Sequence, residues 1–268
     1  MARIEHIFVG LLVLSAFFWL IESLFAANPE QPKWRTDMKT DIVYWFVTPL
    51  LTKSITQAGL AIALVIIYRE NIHVVQQMLD SRTTLLSRQK LGLQALEMVV
   101  LGDLIGYWTH RWFHGRRMWK FHAIHHCSPQ LDWLSAVRLH PVNDWLSRWI
   151  QASALVVLGF SPKAIAAYVP FLTLYAIMVH ANVSWGFGPL GRVIASPKFH
   201  RWHHTSEEEG LDKNFAGMFP VYDMIFGTYY MPKDRLPQKF GLKNQAIPEG
   251  FWPQMMYPFR RRKKARES

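Results

Sequence analysis

Two six-residue stretches carry the same arrangement of imidazoles: Phe121-His122-Ala123-Ile124-His125-His126 and Phe199-His200-Arg201-Trp202-His203-His204. A further pair, His110 and His114, stands four residues apart just upstream. Histidine is the commonest metal ligand and titrates near neutral pH. Only His6 and His73, of twelve histidines, lie outside residues 110–204. On a helix, residues i and i+4 sit one turn apart on one face, so His110 and His114 can reach one ion. His122 stands three and four positions before His125 and His126, so these three are expected to converge on one helical face. His200, His203 and His204 repeat the pattern. Without a ligand such a crowd is unfavourable: charged rings repel, and neutral buried rings each need a partner. A metal site removes both difficulties. His180 ends an apolar stretch and is expected as a ninth ligand. His140, in "RLHP", is read either as a ligand or as a hydrogen-bond partner to one. His6 and His73 are read as structural.

Eight or nine nitrogens exceed what one ion of coordination four to six can use, and they suit two ions with open positions. A single catalytic zinc takes three protein ligands and would strand the rest. Imidazole serves zinc, copper, iron and nickel alike, so spacing does not choose the metal. Bis-histidine haem would require single histidines in the middle of facing helices, and this cluster is grouped at helix ends. The lone Cys127 excludes an internal disulfide and a thiolate cluster.

The elements that must position these rings are apolar helices. Half of the 268 residues are hydrophobic, yet the mean hydropathy is only +0.03, because apolar runs alternate with segments rich in Arg, Lys and His. Residues 7–25, 41–70 and 91–110 read as membrane spans. Residues 149–160 and 162–180 read as a helical hairpin whose first arm is short for a full crossing. The first span is expected to be retained rather than cleaved, since Glu5 interrupts the basic leader and no small-x-small site follows. The expected fold is therefore all-α: an integral, multi-pass helical membrane bundle with a di-metal site. Residues 1–90 form N-terminal anchor helices, 91–242 the histidine-bearing catalytic domain including the hairpin at 149–180, and 243–268 a basic, proline-containing tail. The net charge of +11 owes much to "FRRRKKARES". Beside several apolar spans it points to positive-inside topology and anionic headgroups rather than nucleic acid. The basic loop at 110–148 and the basic tail place the histidine cluster and the C-terminus on the cytoplasmic side.

The three histidine groups, with the flanks "RTDMKTDIVYWFVTPL", "GDLIGYWTHRWFHGRRMWKFHAIHHCSP", "RLHP", "HANV", "SPKFHRWHH" and "DKNFAGMFPVYDMIFGTYY", resemble the fatty acid hydroxylase/sterol desaturase superfamily. The resemblance covers about residues 35–242. It implies a membrane-bound non-haem di-iron oxygenase that uses O2 and two electrons to hydroxylate an unactivated C–H bond of a fatty acyl or sterol-like lipid. Desaturation by the same site is the near alternative. The implied metal ligands are His110, His114, His122, His125, His126, His180, His200, His203 and His204. Some members carry a histidine four residues before the position of His180; Ala176 stands there in this chain. Electrons are expected from a separate donor protein, a reductase with a ferredoxin or a b-type cytochrome.

Asp103 and Asn214 are the candidate catalytic residues beyond the ligands. Asp103 lies two helical turns before His110 and is expected to accept a ring N–H. Asn214, with Asp212 in "DKNF", and Asn182 and Asp223 are candidates for the same supporting role. Arg111, Arg116, Arg117 and Lys120 are expected to fix the loop at the headgroup layer or to dock an acidic electron donor. Glu207, Glu208 and Glu209 read as a solvated loop. Two other classes compete: a zinc-dependent membrane hydrolase, needing neither oxygen nor reductant, and a metal-binding scaffold or transporter, for which the apolar spans offer little polar lining.

Overall fold

Apolar runs closed by prolines and polar caps set the helix boundaries. The computed structural model describes residues 2–69, 71, 73, 74, 84–160, 162–243 and 246–260. Residues 75–83 and the basic run after Arg260 lie outside the described residues. Five long helices form the frame: α1 (Ala2–Leu24), α2 (Met38–Tyr68), α3 (Leu91–Phe113), α5 (Pro141–Val157) and α6 (Pro162–His180). Two short helices, α4 (Trp119–His126) and α7 (Pro197–His203), carry the repeated histidine stretches. Among the described residues there is no strand, only isolated bridges such as Ala26 with Val183.

Among the described residues, Ile4–Leu24 and Leu91–Phe113 are long and apolar enough to cross a membrane. At about 1.5 Å per residue, α3 extends about 35 Å, which exceeds the roughly 30 Å hydrocarbon layer. α1 leaves Phe8, Leu12, Phe17, Trp19 and Leu24 exposed, a surface that suits lipid.

α5 starts eight residues before the expected hairpin arm at 149, because Asn143, Asp144, Ser147 and Arg148 break up its first turns and hide them from an apolar search. Pro141 supplies the preset φ of a first helical residue, and His140 Nδ1 caps the helix by accepting the Val142 N–H at 3.1 Å. The C-terminal segment also holds more order than its prolines suggest. A short helix, Phe251–Met256, follows Gly250, and its Gln254 accepts the Tyr44 hydroxyl at 3.0 Å.

α2 packs on α5, α3 on α5 and α6, and α6 on α7. Gly102 permits the close approach of α3 to α6: a Cβ there would collide with the Tyr168 hydroxyl. Beneath the histidine helices lies a buried ionic frame. Arg35 forks onto Asp132 at 2.6 and 2.7 Å and also bonds Asp41. Arg138 donates to the other oxygen of Asp41 at 2.5 Å and to Asp37 at 3.0 Å. Arg35, Asp41, Asp132 and Arg138 are all buried.

Candidate metal centre

Adjacent residues on a helix point about 100° apart and do not face each other, so an His-His doublet cannot serve one ion. The structure uses this. Nine rings form two groups: His110, His114, His122, His126 and His203 in the first, and His125, His180, His200 and His204 in the second. Within each group the candidate ligand nitrogens all lie within 4.8 Å of one another. α4 sends its i, i+4 pair, His122 and His126, to the first group and His125 to the second. α7 does the reverse: His200 and His204 go to the second and His203 to the first. The expected convergence of each stretch on one face is thus corrected to a two-to-one split. α3 completes the first group with His110 and His114, and α6 completes the second with His180. The groups share a wall in which His126 and His204 stack with ring centroids 4.3 Å apart.

The outward-facing nitrogens fix the protonation of the inner ones. His110 Nδ1 bonds Phe215 O at 2.8 Å, His122 Nδ1 bonds Asn143 Oδ1 at 2.7 Å, and His125 Nδ1 bonds Arg138 O at 3.1 Å. His180 Nδ1 bonds Ala176 O at 2.6 Å, His203 Nδ1 bonds Lys213 O at 2.8 Å, and His114 Nδ1 bonds Asp212 Oδ1 at 2.9 Å. These oxygens can only accept, so each of the six rings carries its hydrogen on Nδ1 and leaves Nε2 as a lone pair. Those lone pairs face one another. His110 and His122 approach Nε2 to Nε2 at 3.1 Å, as do His125 and His180. His114 Nε2 and His203 Nε2 are buried with no hydrogen-bond partner. Burial, with repulsion from neighbouring rings, holds His122, His125, His126, His200, His203 and His204 well below the ordinary histidine pKa. They are neutral at pH 7 and free to ligate.

Six of the nine rings thus turn a buried Nε2 lone pair inward, and converging lone pairs of this kind call for cations. At a metal–nitrogen bond of about 2.1 Å, ligands at right angles stand about 3.0 Å apart and tetrahedral ligands about 3.4 Å apart. The five close Nε2 pairs span 3.0–3.1 Å. Each group is therefore compact enough to hold one ion, and the donor set fits two ions per chain.

The supporting residues are only partly those expected. Asp103 does not accept a ring N–H: its oxygens take the backbone amides of Met218 and Phe219 at 2.9 and 2.7 Å. Two turns from His110, its carboxylate meets the 215–219 loop instead. Asn214 likewise touches no imidazole; it donates to Phe199 O and Tyr230 O and accepts from Tyr230 N–H, tying α7 to the following segment. Asp212 and Asn214 both have left-handed backbones, φ 53° and 59°, a conformation Asp and Asn tolerate. They flank Lys213 and turn its carbonyl onto His203. Asp223 accepts the Phe215 and Ala216 amides and so fixes the carbonyl that holds His110. Asn182 bonds Asn28, away from the rings. His140 is no ligand, since Nδ1 caps α5 and Nε2 contacts Met255 O at 3.2 Å. Glu207, Glu208 and Glu209 do sit in a largely exposed turn, paired with Arg235 and Lys243.

Sequence reasoning missed Asn143 and the Arg35–Asp132–Asp41–Arg138 frame. Asn143 lies in a segment read as loop. The charges of the frame stand beside an apolar run, where they look like interface residues. One signal was available: charged residues flanking a span are unusual when they are complementary in number and sign.

A cavity of about 1410 Å³ opens onto the first group, with His114, His126 and His203 in its lining and none of the second group. Basic side chains, Arg116, Lys120, Lys243 and Arg260, stand in the same lining.

A family model described as fatty acid hydroxylase matches residues 95–228. Alkylglycerol monooxygenase of Danio rerio is 33% identical over 135 residues, covering 50% of this chain and 30% of that protein. Ornithine lipid hydroxylase OlsE of Rhizobium tropici is 28% identical over 170 residues, covering 61% and 51%. Delta(7)-sterol 5(6)-desaturase ERG3A of Gibberella zeae is 24% identical over 151 residues, covering 56% and 40%. The chain thus spans at most about half the length of these relatives. No solved structure matches.

Proposed function

The chain belongs to the fatty acid hydroxylase family, and from that premise we propose that it is a multi-pass membrane oxygenase that hydroxylates an unactivated C–H bond of a lipid at a di-iron centre. The observation that carries this reading is the set of buried Nε2 lone pairs aimed at two common points. His110, His114, His122, His126 and His203 would hold one iron, and His125, His180, His200 and His204 the other. Bound there, the two irons would supply reductive activation of dioxygen with two electrons from a separate donor protein.

The remaining chemistry belongs to the chain. Carbonyls of Phe215, Lys213, Arg138 and Ala176, with Asn143 and Asp212, hold the Nδ1 hydrogens and so keep each Nε2 unprotonated. Asp103, Asn214 and Asp223 are positioning residues: they fix the backbone that presents those carbonyls. Asp103 and Asn214, candidate catalytic residues by sequence, act in this indirect way. The neutral, buried rings exclude competing protons. Basic Arg111, Arg116, Arg117 and Lys120 follow the polar end of α3 and support a cytoplasmic histidine cluster at the headgroup layer.

The test is metal content and Mössbauer spectroscopy on the detergent-purified chain, followed by lipid profiling under 18O2. The expected result is two coupled irons per chain and one labelled oxygen in a lipid product. One tightly held zinc and no iron would overturn the reading and bring forward the hydrolase.

A further inference from the structure

The cavity over the first group combines three features. Its floor exposes His114, His126 and His203, so it reaches the rings that would face substrate. Its walls include Trp119, Leu242, Ile247 and Tyr257, which are apolar or amphipathic. Its rim carries Arg116, Lys120 and Arg260, all exposed, and no ion pair engages them among the described residues. Of the acids nearby, Glu208 pairs with Lys243 at 3.0 Å, and Asp212 keeps its charge because the His114 ring it accepts from is neutral, so one carboxylate in the lining stands against Arg116, Lys120 and Arg260. The uncompensated charge on this lining is therefore positive.

A basic rim alone would serve as a membrane anchor or a docking surface for an acidic protein. The volume and lining of the cavity favour neither. At about 1410 Å³ it exceeds the 300–1,000 Å³ of common small-molecule sites, and it leads from the cations to the imidazoles. A docked protein surface would leave that volume and its apolar walls unused. We propose that the cavity takes the anionic headgroup of a lipid, with Arg116, Lys120 and Arg260 holding a phosphate or carboxylate and the apolar walls holding the adjoining chain. The headgroup end of the substrate then lies over the first histidine group, and the second group stands behind it, closed to this cavity. The inference names the substrate class for the oxygenase reading and rests on it for its chemistry.

The experiment is calorimetric titration of the metal-loaded full chain in an uncharged detergent. The ligands are dihexanoylphosphatidate, dihexanoylphosphatidylcholine with the same chains but no net charge, decanoate, and inorganic phosphate. One phosphatidate should bind per chain, at least about tenfold tighter than the phosphatidylcholine, as expected for charge-assisted contacts. Inorganic phosphate should bind far more weakly, because it gains nothing from the apolar walls. Decanoate binding comparably to phosphatidate would identify the carboxylate as the source of the charge; weaker binding would identify the phosphate.

The triple variant R116Q/K120Q/R260Q should lose the preference for the anionic lipid, and K33Q, an exposed lysine absent from the lining, should keep it. Equal affinity for both phospholipids, or an unchanged triple variant, would overturn the proposal. Inorganic phosphate binding as tightly as the lipid would also overturn it, by showing an anion site without a lipid one. So would a triple variant that keeps lipid binding but loses an acidic ferredoxin or anionic vesicles. Metal content read on the same samples separates the two claims. Selective lipid binding without iron removes the oxygenase and leaves the headgroup site. Iron without selective binding does the reverse.

Discussion

If each iron is held by rings from both short helices, double substitutions should sort by group and not by helix. H125A/H204A removes two rings from different helices but from the same group, reducing the second group from four to two. H125A/H126A removes two neighbours on α4 and takes one ring from each group, leaving four and three. Structural four-ligand sites release about 10–16 kcal/mol on binding zinc, or about 2.5–4 kcal/mol per ligand. Losing two ligands from one group costs about 5–8 kcal/mol, which weakens that ion about 10⁴- to 10⁶-fold. Losing one from each costs about 2.5–4 kcal/mol per ion, about 10²- to 10³-fold, and leaves both sites with three or more imidazoles. After gel filtration with iron at low excess, H125A/H204A should retain one iron per chain with no coupling between irons. H125A/H126A should retain close to two with coupling in the Mössbauer spectrum. Circular dichroism and elution volume guard against unfolding. The opposite pattern would refute the interleaved assignment, because it is what a separate ion on each helix predicts.

Other consequences follow from the groups around the rings. Asn143→Leu removes the acceptor that fixes the His122 tautomer, and it should weaken iron about 10- to 100-fold in chelator competition while the helices persist; undiminished affinity would show that Asn143 does not orient the ring. Asp41→Leu removes the carboxylate that Arg35 and Arg138 share, leaving Arg35 with Asp132 and Arg138 with Asp37, and should destabilise the chain by about 3 kcal/mol, the lower end of the cost of breaking a buried pair, read as a lower unfolding temperature; an unchanged temperature would remove the frame from the account. Acid should destabilise the metal-free protein. The rings of α4 and α7 have folded-state pKa values below that of a free histidine, so above about pH 6.5 folding requires no loss of protons from them. Below it, the unfolded chain takes up protons the folded one refuses. The unfolding temperature should therefore fall between pH 7.5 and pH 5, and a flat profile would contradict the burial of those rings.

The clustering of the histidines was legible because imidazoles at i and i+4 can be counted on paper. Their partition was not, because it depends on where α4 and α7 lie relative to each other, and no local pattern encodes that. The i+3 ring of each stretch looked like a third member of one site. Only the position of the partner helix sends it across to the other. Asp103 shows the same limit. Its spacing from His110 places it on the correct face, yet the loop at 215–219 reaches its carboxylate before any ring does. α5 was misjudged at its start because Asn143, Asp144, Ser147 and Arg148 interrupt the apolar run there, although the segment is helical all the same. Asp212 and Asn214 were legible as a motif and illegible as backbone. Their left-handed φ values matter more than their side-chain chemistry, since they aim the carbonyl of Lys213 at His203.

The interleaving has a consequence for how the chain acquires its structure. Each short helix contributes to both groups, so neither group can form until α4 and α7 are docked. At 8 and 7 residues, helices of this length are not stable alone in water. Their faces must be held by the tertiary frame, and the frame meets them at the Nδ1 side: Arg138 through His125, Asn143 on α5 through His122, and the 212–215 segment through His203 and His110. What remains after that docking is electrostatic discord among the inner Nε2 atoms. Assembly of the helical frame therefore costs stability at its centre until cations arrive. Metal binding at these nine rings would therefore be coupled to the fold, which holds six of them through the acceptors behind their Nδ1 atoms.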